Sequence, residues 1–532
     1  MQRPFSAETR LSSQLVNQRQ LDNSPPFFVN SQKIEGYSFS DRVQGRPYST
    51  QILFTLRAFL PEKPSRAWVQ SVNPTTGKAL RKFKASTRAD VAKIVEKAKK
   101  AFEKWKEVPA SRRAVYLERA AKTLRSQREK LGRIITLEMG KTISQSISEV
   151  TKCALVLEYY SENGEKFLGP ETARTDATDS YVTFEPLGVV GSIMPWNFPL
   201  WQSVRFAAPA LMTGNTAVFK PSSTTPQSGL ALGKAFNSTG LPDGCFNVVL
   251  GGREVSDYLI ESDTAAVSFT GSVAAGQNVA EQAGKHLKKV VLELGGSDPF
   301  IVLGDADIEA ASSGAVAGRF INCGQSCIAS KRFFVAKEVA EEFMEDFVQK
   351  TKSLIVGDPL RGETDVGPMV REDALLTLNG QVKEAVKNGA TVELGGERLP
   401  RKGFFYAPTI LTQVRPEMRV MKEETFGPVA PVMVVKDDDE AVKFANLTSF
   451  GLGASIWGQD VRRAEKVARQ VATGLVSVNN VVVSDPRIPF GGIKDSGFGR
   501  ELSRYGMLEF ANIKSVRLYE KSPWSGAASS RI

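Results

Sequence analysis

Two residues with nucleophile-and-base chemistry lie on neighbouring segments of this sequence. Glu293 interrupts an apolar run, Val290-Val291-Leu292-Glu293-Leu294, just before Gly295-Gly296. Cys327 closes Asn322-Cys323-Gly324-Gln325-Ser326-Cys327, a glycine-containing turn that follows a small-residue segment, Ala310 to Ala317. A charge set into an apolar strand is costly to desolvate unless it has a partner or a task. A cysteine on a turn fed by a helical segment can be exposed as a nucleophile on rigid support. Taken singly, the cysteine also reads as a small core hydrophobe and the glutamate as a salt-bridged strand end. Together they supply what thioester chemistry needs, a sulfur nucleophile and a base able to activate water.

Other residue types narrow the chemistry. The single histidine, His286, excludes His-rich metal centres and serine–histidine triads. No metal site is expected, and any base must be a carboxylate, lysine or tyrosine. Asn197, in Pro195-Trp196-Asn197-Phe198-Pro199 directly after an apolar run, offers a side-chain amide suited to an oxyanion; an asparagine in a turn is the ordinary reading. Phe269-Thr270-Gly271-Ser272, followed by Gly276, is a glycine turn feeding a helix, a geometry that can present N–H groups to a pyrophosphate. The GxGxxG fingerprint is absent from this turn. The glutamate pattern recurs at Val392-Glu393-Leu394-Gly395-Gly396. There a charged stretch precedes it, Glu397-Arg398 follow, and no cysteine motif lies downstream at a comparable distance. That copy reads as a surface strand and turn.

The elements that must position these groups follow from length and periodicity. A chain of 532 residues is too long for one core, so two or three domains are expected. The net charge of +11 comes from lysines and arginines interleaved with acids, without a dense basic block. This excludes nucleic acid as the expected partner and suits anionic small molecules. No run of eighteen apolar residues occurs, so no membrane span is expected. Four scattered cysteines do not make a disulfide framework, which points to a reducing compartment: cytoplasmic, with the mitochondrial matrix as the alternative. Residues 1–66 are rich in Ser, Gln, Asn and Pro and read as a disordered or leader-like extension. Glu8, Asp22, Glu35 and Asp41 fit an acid-poor transit peptide badly.

Thr87 and Asp90 have capping-box spacing, and Val91, Ile94, Val95, Ala98, Phe102 and Trp105 mark one helical face. A second helix is predicted over Arg112–Arg128, and Val339–Leu354 shows apolar positions three and four apart. Five short β-rich runs alternate with helical segments, at Val189–Ile193, Thr216–Phe219, Phe246–Leu250, Ala265–Phe269 and Val290–Leu294. Such repeats imply a parallel sheet with ligands at the carboxyl ends of its strands.

Leu292-Glu293-Leu294-Gly295-Gly296 and Gly324-Gln325-Ser326-Cys327 resemble the glutamate and cysteine signatures of the aldehyde dehydrogenase superfamily. Lys220-Pro221-Ser222-Ser223, Glu423-Glu424-Thr425-Phe426-Gly427-Pro428 and Pro489-Phe490-Gly491-Gly492-Ile493-Lys494-Asp495-Ser496-Gly497 match further family motifs in the same order, and the resemblance spans Trp68 to Tyr519. Glu138-Met139-Gly140-Lys141 resembles a structural motif of the family and reads as a helix end capped at Gly140.

The resemblance implies an α/β fold with a Rossmann-type cofactor domain (67–170 and 188–294), an α/β catalytic domain (295–490) and oligomerisation elements (171–187 and 503–522) that would build a homodimer or homotetramer. By the same resemblance, Cys327 is the nucleophile, Glu293 the base that activates water, and Asn197 with the Cys327 N–H the oxyanion hole. The glutamate argues against the coenzyme A-acylating members. Trp196, Lys220, Ser222, Ser223, Gly271, Ser272, Glu424 and Phe426 would hold a nicotinamide cofactor. Many NAD-preferring relatives carry a glutamate where this chain has Ser223. A carboxylate there repels a 2′-phosphate, so NADP is expected in preference to NAD.

Trp201, Arg205 and Phe490 would face the substrate. Trp201-Gln202-Ser203-Val204-Arg205 and Ser484-Asp485-Pro486-Arg487 resemble the succinate-semialdehyde dehydrogenase branch, which implies an aldehyde with a distal carboxylate. Some members of that branch carry a second arginine where this chain has Ile321, leaving Arg319 or Arg487 as replacements. Glyceraldehyde or another small hydrophilic aldehyde is the second substrate reading. A non-catalytic structural protein on the same fold is the reading from another class, and it would be expected to lack the cysteine, glutamate or asparagine. Cys323 is a candidate disulfide partner for Cys327 under oxidation.

Overall fold

The computed structural model describes residues 67–522, and the expectation for residues 1–66 lies outside them. The described residues belong to one compact unit. Strands β1 (Trp68–Asn73) and β2 (Lys78–Lys84) form an antiparallel ribbon. Thr87 then opens the helix Arg88–Trp105 with the expected capping box: its hydroxyl accepts from the Asp90 N–H while the Asp90 carboxylate accepts from the Thr87 N–H. The next predicted helix is observed as Ala110–Ser126, and a break at Gln127 starts another, Arg128–Met139. Gly140 ends that helix in the left-handed conformation at φ 87, where a Cβ would be strained. The Glu138 carboxylate accepts from the Gln227 and Ser228 N–H groups and Lys141 pairs with Glu149. The motif is a structural brace. A long helix, Ile143–Phe167, follows. It leads to β3 (Glu171–Thr172) and β4 (Asp179–Pro186), which pair antiparallel.

Strands β5 (Val189–Ile193), β6 (Thr216–Lys220), β7 (Phe246–Val248), β8 (Ala266–Thr270) and β9 (Lys289–Glu293) form a parallel sheet in the order β7-β6-β5-β8-β9. Helices cover both faces, so β5, β6 and β8 are buried throughout; this is why they read as unbroken apolar runs rather than as alternation. The chain steps outward from β5 through β6 and β7, then returns to lay β8 and β9 on the other side. That reversal opens a crevice beyond the carboxyl ends of β5 and β8, the place where doubly wound sheets take ligands.

A second sheet contains β10 (Asp298–Val302), β11 (Ser330–Ala336), β12 (Thr391–Leu394), β13 (Thr409–Thr412), β14 (Val429–Val435), β15 (Gly453–Trp457) and β16 (Leu475–Val478), in the order β12-β13-β14-β11-β10-β15-β16. It has its own apolar core around Phe300, Phe333, Phe347 and Trp457. Glu393 lies on the edge strand β12, exposed, with its carboxylate accepting from the Thr412 hydroxyl. The chain then returns to the first sheet. β17 (Gly497–Phe498) pairs antiparallel with β9, Gly497 opposite Glu293. A Cβ at Gly497 would fall 2.0 Å from the Leu292 carbonyl oxygen, and its φ is +111, so only glycine fits there. β18 (Ala511–Leu518) pairs along the whole of β4.

Candidate active site

The helix Ile308–Phe320, capped by Asp307, ends immediately before the cysteine turn. Asn322 (φ 52, ψ 36) and Cys323 (φ 55, ψ 35) then adopt the left-handed conformation in succession, each at a cost of roughly 1–2 kcal/mol. Buried side chains hold this strained turn in place. Asn322 Nδ2 donates to the carbonyls of Asn197 at 2.9 Å and Gln325 at 3.0 Å. The Arg319 guanidinium donates to the carbonyls of Gly324 (2.7 Å), Ser330 (2.9 Å), Gly427 (2.9 Å) and Thr425 (3.4 Å). Lys331 Nζ donates to the carbonyls of Ser326 (2.8 Å) and Cys327 (2.7 Å) and pairs with Glu424 at 3.2 Å. The half-buried Cys327 is thus held from behind by two cations and an amide.

This geometry corrects one expectation. Arg319 does not stand in for the arginine missing at Ile321, because its guanidinium is spent on backbone carbonyls. Arg487 does not either: its side chain is 76% exposed and is paired with Asp485 at 2.5 Å. Cys323 is free and buried in the core of the second sheet, and burial pushes its thiol up to about 12.

Asn197 follows β5 and donates one amide hydrogen to the Gln325 carbonyl at 3.2 Å, leaving the other. The Cys327 N–H donates to no acceptor among the described residues. Three adjoining cavities meet around these groups. A tunnel of about 400 Å³ is lined by Cys327, Trp201, Arg205, Phe490, Lys152 and Ser484, among others. A cleft of about 420 Å³ is lined by Cys327, Trp196, Asn197, Glu424 and Phe426. A groove of about 430 Å³ is lined by Lys220, Ser222, Ser223 and Arg253. Cys327 and Gln202 face both tunnel and cleft, and Gly271 and Ser272 face both cleft and groove. The sulfur therefore sits where two chambers join.

Glu293 is the exception among the candidate residues. It ends β9 almost fully buried, 2% exposed, and neither carboxylate oxygen has a hydrogen-bond partner among the described residues. Its Oε1 lies against Gly491, where a Cβ would approach to 2.7 Å. It lines neither tunnel nor cleft. Burial first, and the Glu501 charge second, hold its carboxyl well above the usual carboxylate range. Glu501 is itself raised by burial and is ion-paired with Arg205, whose guanidinium stacks 4.5 Å from the Phe490 ring centre. Burial also pushes the Cys327 thiol up to about 11, with Lys331 and then Arg205 pulling the other way.

The groove fits an anionic, hydroxyl-rich ligand. Burial pulls Lys220 down to about 8, and its one hydrogen bond, to the Pro221 carbonyl, is long at 3.4 Å. Among the described residues the ammonium has no carboxylate partner, and two serine hydroxyls line the same groove. In the cleft, the Trp196 and Phe426 rings meet edge to face at 5.7 Å, and Glu424 is anchored by Lys331 and the Gly296 N–H.

The model of the aldehyde dehydrogenase family matches residues 60–516. The chain belongs to that family. It is 44% identical over 449 residues to a protein of Synechocystis sp. named probable succinate-semialdehyde dehydrogenase [NADP(+)], covering 84% of this chain and 99% of that one. It is also 44% identical over 460 residues to the succinate-semialdehyde dehydrogenase [NADP(+)] of Deinococcus radiodurans, covering 86% and 96%. Among solved structures, succinic semialdehyde dehydrogenase from Streptococcus pyogenes in complex with NADP+ superposes with a TM-score of 0.83 at 33% identity, covering 85% of this chain and all of that one. The aldehyde dehydrogenase fold expected from the motifs is the fold observed.

Within this aldehyde dehydrogenase, four participants escaped sequence reading. Lys152 lies on the tunnel wall, Arg253 in the groove, Lys331 behind the cysteine, and Glu501 beside Arg205. Two left a usable signal. Arg253 begins a helix just after Gly251-Gly252 at the carboxyl end of β7, a position where ligand contacts concentrate. Lys152 shares one face of its helix with Ser144 and Ser148, at steps of four.

Proposed function

We propose that this aldehyde dehydrogenase oxidises succinate semialdehyde to succinate, with NADP+ preferred over NAD+. The observation that carries the proposal is the placement of Cys327 on the shared wall of a cation-bearing tunnel and a cleft that continues into the Lys220 groove. The names of the Synechocystis and Deinococcus relatives support the same substrate and cofactor.

The Cys327 sulfur attacks the aldehyde carbon. The free amide hydrogen of Asn197 and the Cys327 N–H receive the oxygen as it becomes an oxyanion, and donors of this kind contribute roughly 3 kcal/mol each to lowering the barrier. Lys220, Ser222, Ser223 and Arg253 would hold the phosphorylated adenosine end of the cofactor. Glu424 and the Trp196–Phe426 pair would hold its nicotinamide end. The bound cofactor supplies a hydride acceptor. A thiol near 11 is protonated at neutral pH, so attack requires its thiolate, which the Lys331 and Arg205 charges favour and whose proton leaves to solvent through the tunnel; Glu293 acts afterwards, on water. In its buried position desolvation and the Glu501 charge favour its protonated form. Turning toward the tunnel, where water can solvate it, would return it toward the ordinary carboxylate range and let it take a proton from the water that releases the acid from Cys327.

Arg205 and Lys152 make the tunnel attractive to a carboxylate-bearing aldehyde. A homodimer or homotetramer, built through β4 and β18, and a cytoplasmic location belong to the same proposal. The chain assayed with succinate semialdehyde, glyceraldehyde and butanal, each with NADP+ and NAD+, should turn over succinate semialdehyde with NADP+ best, and Cys327→Ala should abolish the absorbance change. No turnover with any aldehyde would leave a non-catalytic protein on this fold. A preference for glyceraldehyde or butanal would replace the substrate.

A further inference from the structure

A buried cation behind the cysteine has three contacts, and two of them fall on the backbone of the nucleophile. Lys331 lies near the start of β11 with its side chain fully buried. Its Nζ donates to the Ser326 carbonyl at 2.8 Å and to the Cys327 carbonyl at 2.7 Å, and it pairs with Glu424 at 3.2 Å. An ammonium has three N–H donors, so these acceptors use all of them. Holding such a charge away from water is costly. Bracing alone does not account for it, because the turn has other braces: Arg319 reaches the Gly324 carbonyl and Asn322 the Gln325 carbonyl. Lys331 addresses instead the two carbonyls on either side of the Cys327 Cα.

We infer that Lys331 is a positioning residue for the oxyanion: its charge polarises the Ser326–Cys327 peptide and so strengthens the Cys327 N–H as a donor to the aldehyde oxygen. This rests on the oxyanion role given above to that N–H. The Ser326 carbonyl and the Cys327 N–H belong to one peptide unit, in which C=O and N–H point in opposite directions. A cation on the oxygen draws electron density from the nitrogen, and hydrogen bonds joined in series strengthen one another. The Ser326 carbonyl also accepts from the Ala329 N–H at 3.2 Å, whereas the Cys327 N–H donates to no acceptor among the described residues. The peptide is thus loaded at its acceptor end and free at its donor end. Full burial keeps water from screening the charge that does this.

Glu424 takes the third proton of the ammonium and faces the cleft, where its carboxylate also accepts from the Gly296 N–H at 3.2 Å. It therefore fixes the cation in line with the two carbonyls. In the attack the sulfur of the thiolate bonds to the aldehyde carbon and the carbonyl π pair moves onto oxygen, with no proton transferred. The negative charge passes from sulfur to oxygen, and it stays on the donor side of the polarised peptide throughout. Against the burial that pushes the Cys327 thiol up to about 11, Lys331 is the first of the charges that lower it. One ammonium thus favours the thiolate before attack and the oxyanion after it.

The test uses Lys331→Met, and Lys331→Gln, which keeps N–H donors without the charge and serves if the first variant fails to fold. The rate of NADPH formation in a single turnover, with saturating NADP+ and the aldehyde that the wild type turns over best, should fall by about tenfold. The NADP+ dissociation constant should stay within about twofold of the wild type. Ser326–Cys327 is the only Ser–Cys pair in the sequence, so serine labelled with carbon-13 at the carbonyl and cysteine labelled with nitrogen-15 give it a single amide correlation. Its carbonyl carbon and its nitrogen should both move upfield when the charge is removed. An unchanged single-turnover rate would overturn the role of Lys331. So would a loss that more NADP+ restores, or a loss without the upfield movement; either would reduce Lys331 to a brace for Glu424 and the turn. Asn197→Ala separates this from the oxyanion reading itself. It should slow the same step by about a hundredfold, and a step left unchanged by Asn197→Ala would remove the oxyanion site on which the inference stands.

Discussion

Glu293 is a buried carboxyl whose surroundings favour its protonated form. Among the described residues nothing hydrogen-bonds its carboxyl, Gly491 provides the space it occupies, and Glu501 adds a like charge nearby. The consequence for stability has a definite sign. In the unfolded chain this carboxyl ionises above its ordinary value of 4.5, whereas the folded protein keeps the proton to much higher pH. The unfolded state then binds fewer protons, so Glu293 contributes stability at acid pH that is lost progressively as pH rises. Glu293→Gln cannot titrate and removes that slope. We expect the stability of the variant relative to wild type to increase from about pH 5 to about pH 8, measured by denaturant midpoints in buffers of equal ionic strength. Parallel pH curves for the two proteins would mean that the carboxyl is solvated in the native state. The same variant should lose about 10²–10⁴-fold in steady-state turnover, the usual range for a general base, while retaining a first-turnover burst of NADPH, because hydrolysis rather than Cys327 attack would then be limiting.

The helix Ile308–Phe320 and the turn beyond it act as one element, and Arg319 is the link between them. Its guanidinium joins the turn at Gly324, the start of β11 at Ser330 and the loop carrying Glu424 and Phe426, through the carbonyls of Thr425 and Gly427. Removing it leaves several buried carbonyls without donors, at a cost of roughly 3 kcal/mol or more. Arg319→Met should lower the denaturant midpoint with little change in m. It should also reduce turnover of succinate semialdehyde and butanal alike, since the cysteine turn and the nicotinamide cleft loosen together. An unaltered midpoint, or a loss confined to the carboxylate substrate, would contradict this account and return Arg319 to the tunnel. The case also separates what was legible in the sequence from what was not. The strands β5 to β9, the capping box at Thr87 and the cysteine turn were readable because each depends on neighbours within a few residues. Local chemistry also marked Cys327 and Asn197 as candidates, and the family resemblance supplied their expected roles. Arg319 was misread and Lys152 overlooked because their partners are distant: Arg319 reaches residues 106 and 108 positions away, and Lys152 meets Ser484 across 332. The orientation of Glu293 was illegible for the same reason, since Gly491 and Glu501 arrive from the far end of the chain.

At the scale of the whole molecule the three-stranded sheet β18-β4-β3 is unfinished. β18 pairs with β4 on one side only, so its other edge offers a row of unpaired N–H and C=O groups. Along this strand Ile513 is 59% exposed and Leu518 49% exposed, and Tyr519 follows. Charged residues guard many exposed edges, and Lys514 and Arg517 are present, but Lys514 is paired with Glu185 on β4 and Arg517 with Asp176 in the β3–β4 connection. Their charges are therefore partly neutralised, and the edge remains open to a second copy of the chain. No residue of β18 lines the tunnel, cleft or groove, so this edge can be changed without touching them. Sedimentation of the wild type should give a homodimer or homotetramer. Ile513→Lys, which adds a charge to the edge without touching the cavities, should shift the population to smaller species while the ratio of succinate semialdehyde to butanal turnover stays at the wild-type value. A wild type that sediments as a single chain would show that this edge is left unpaired in solution. A variant that stays assembled would move the contact to another surface.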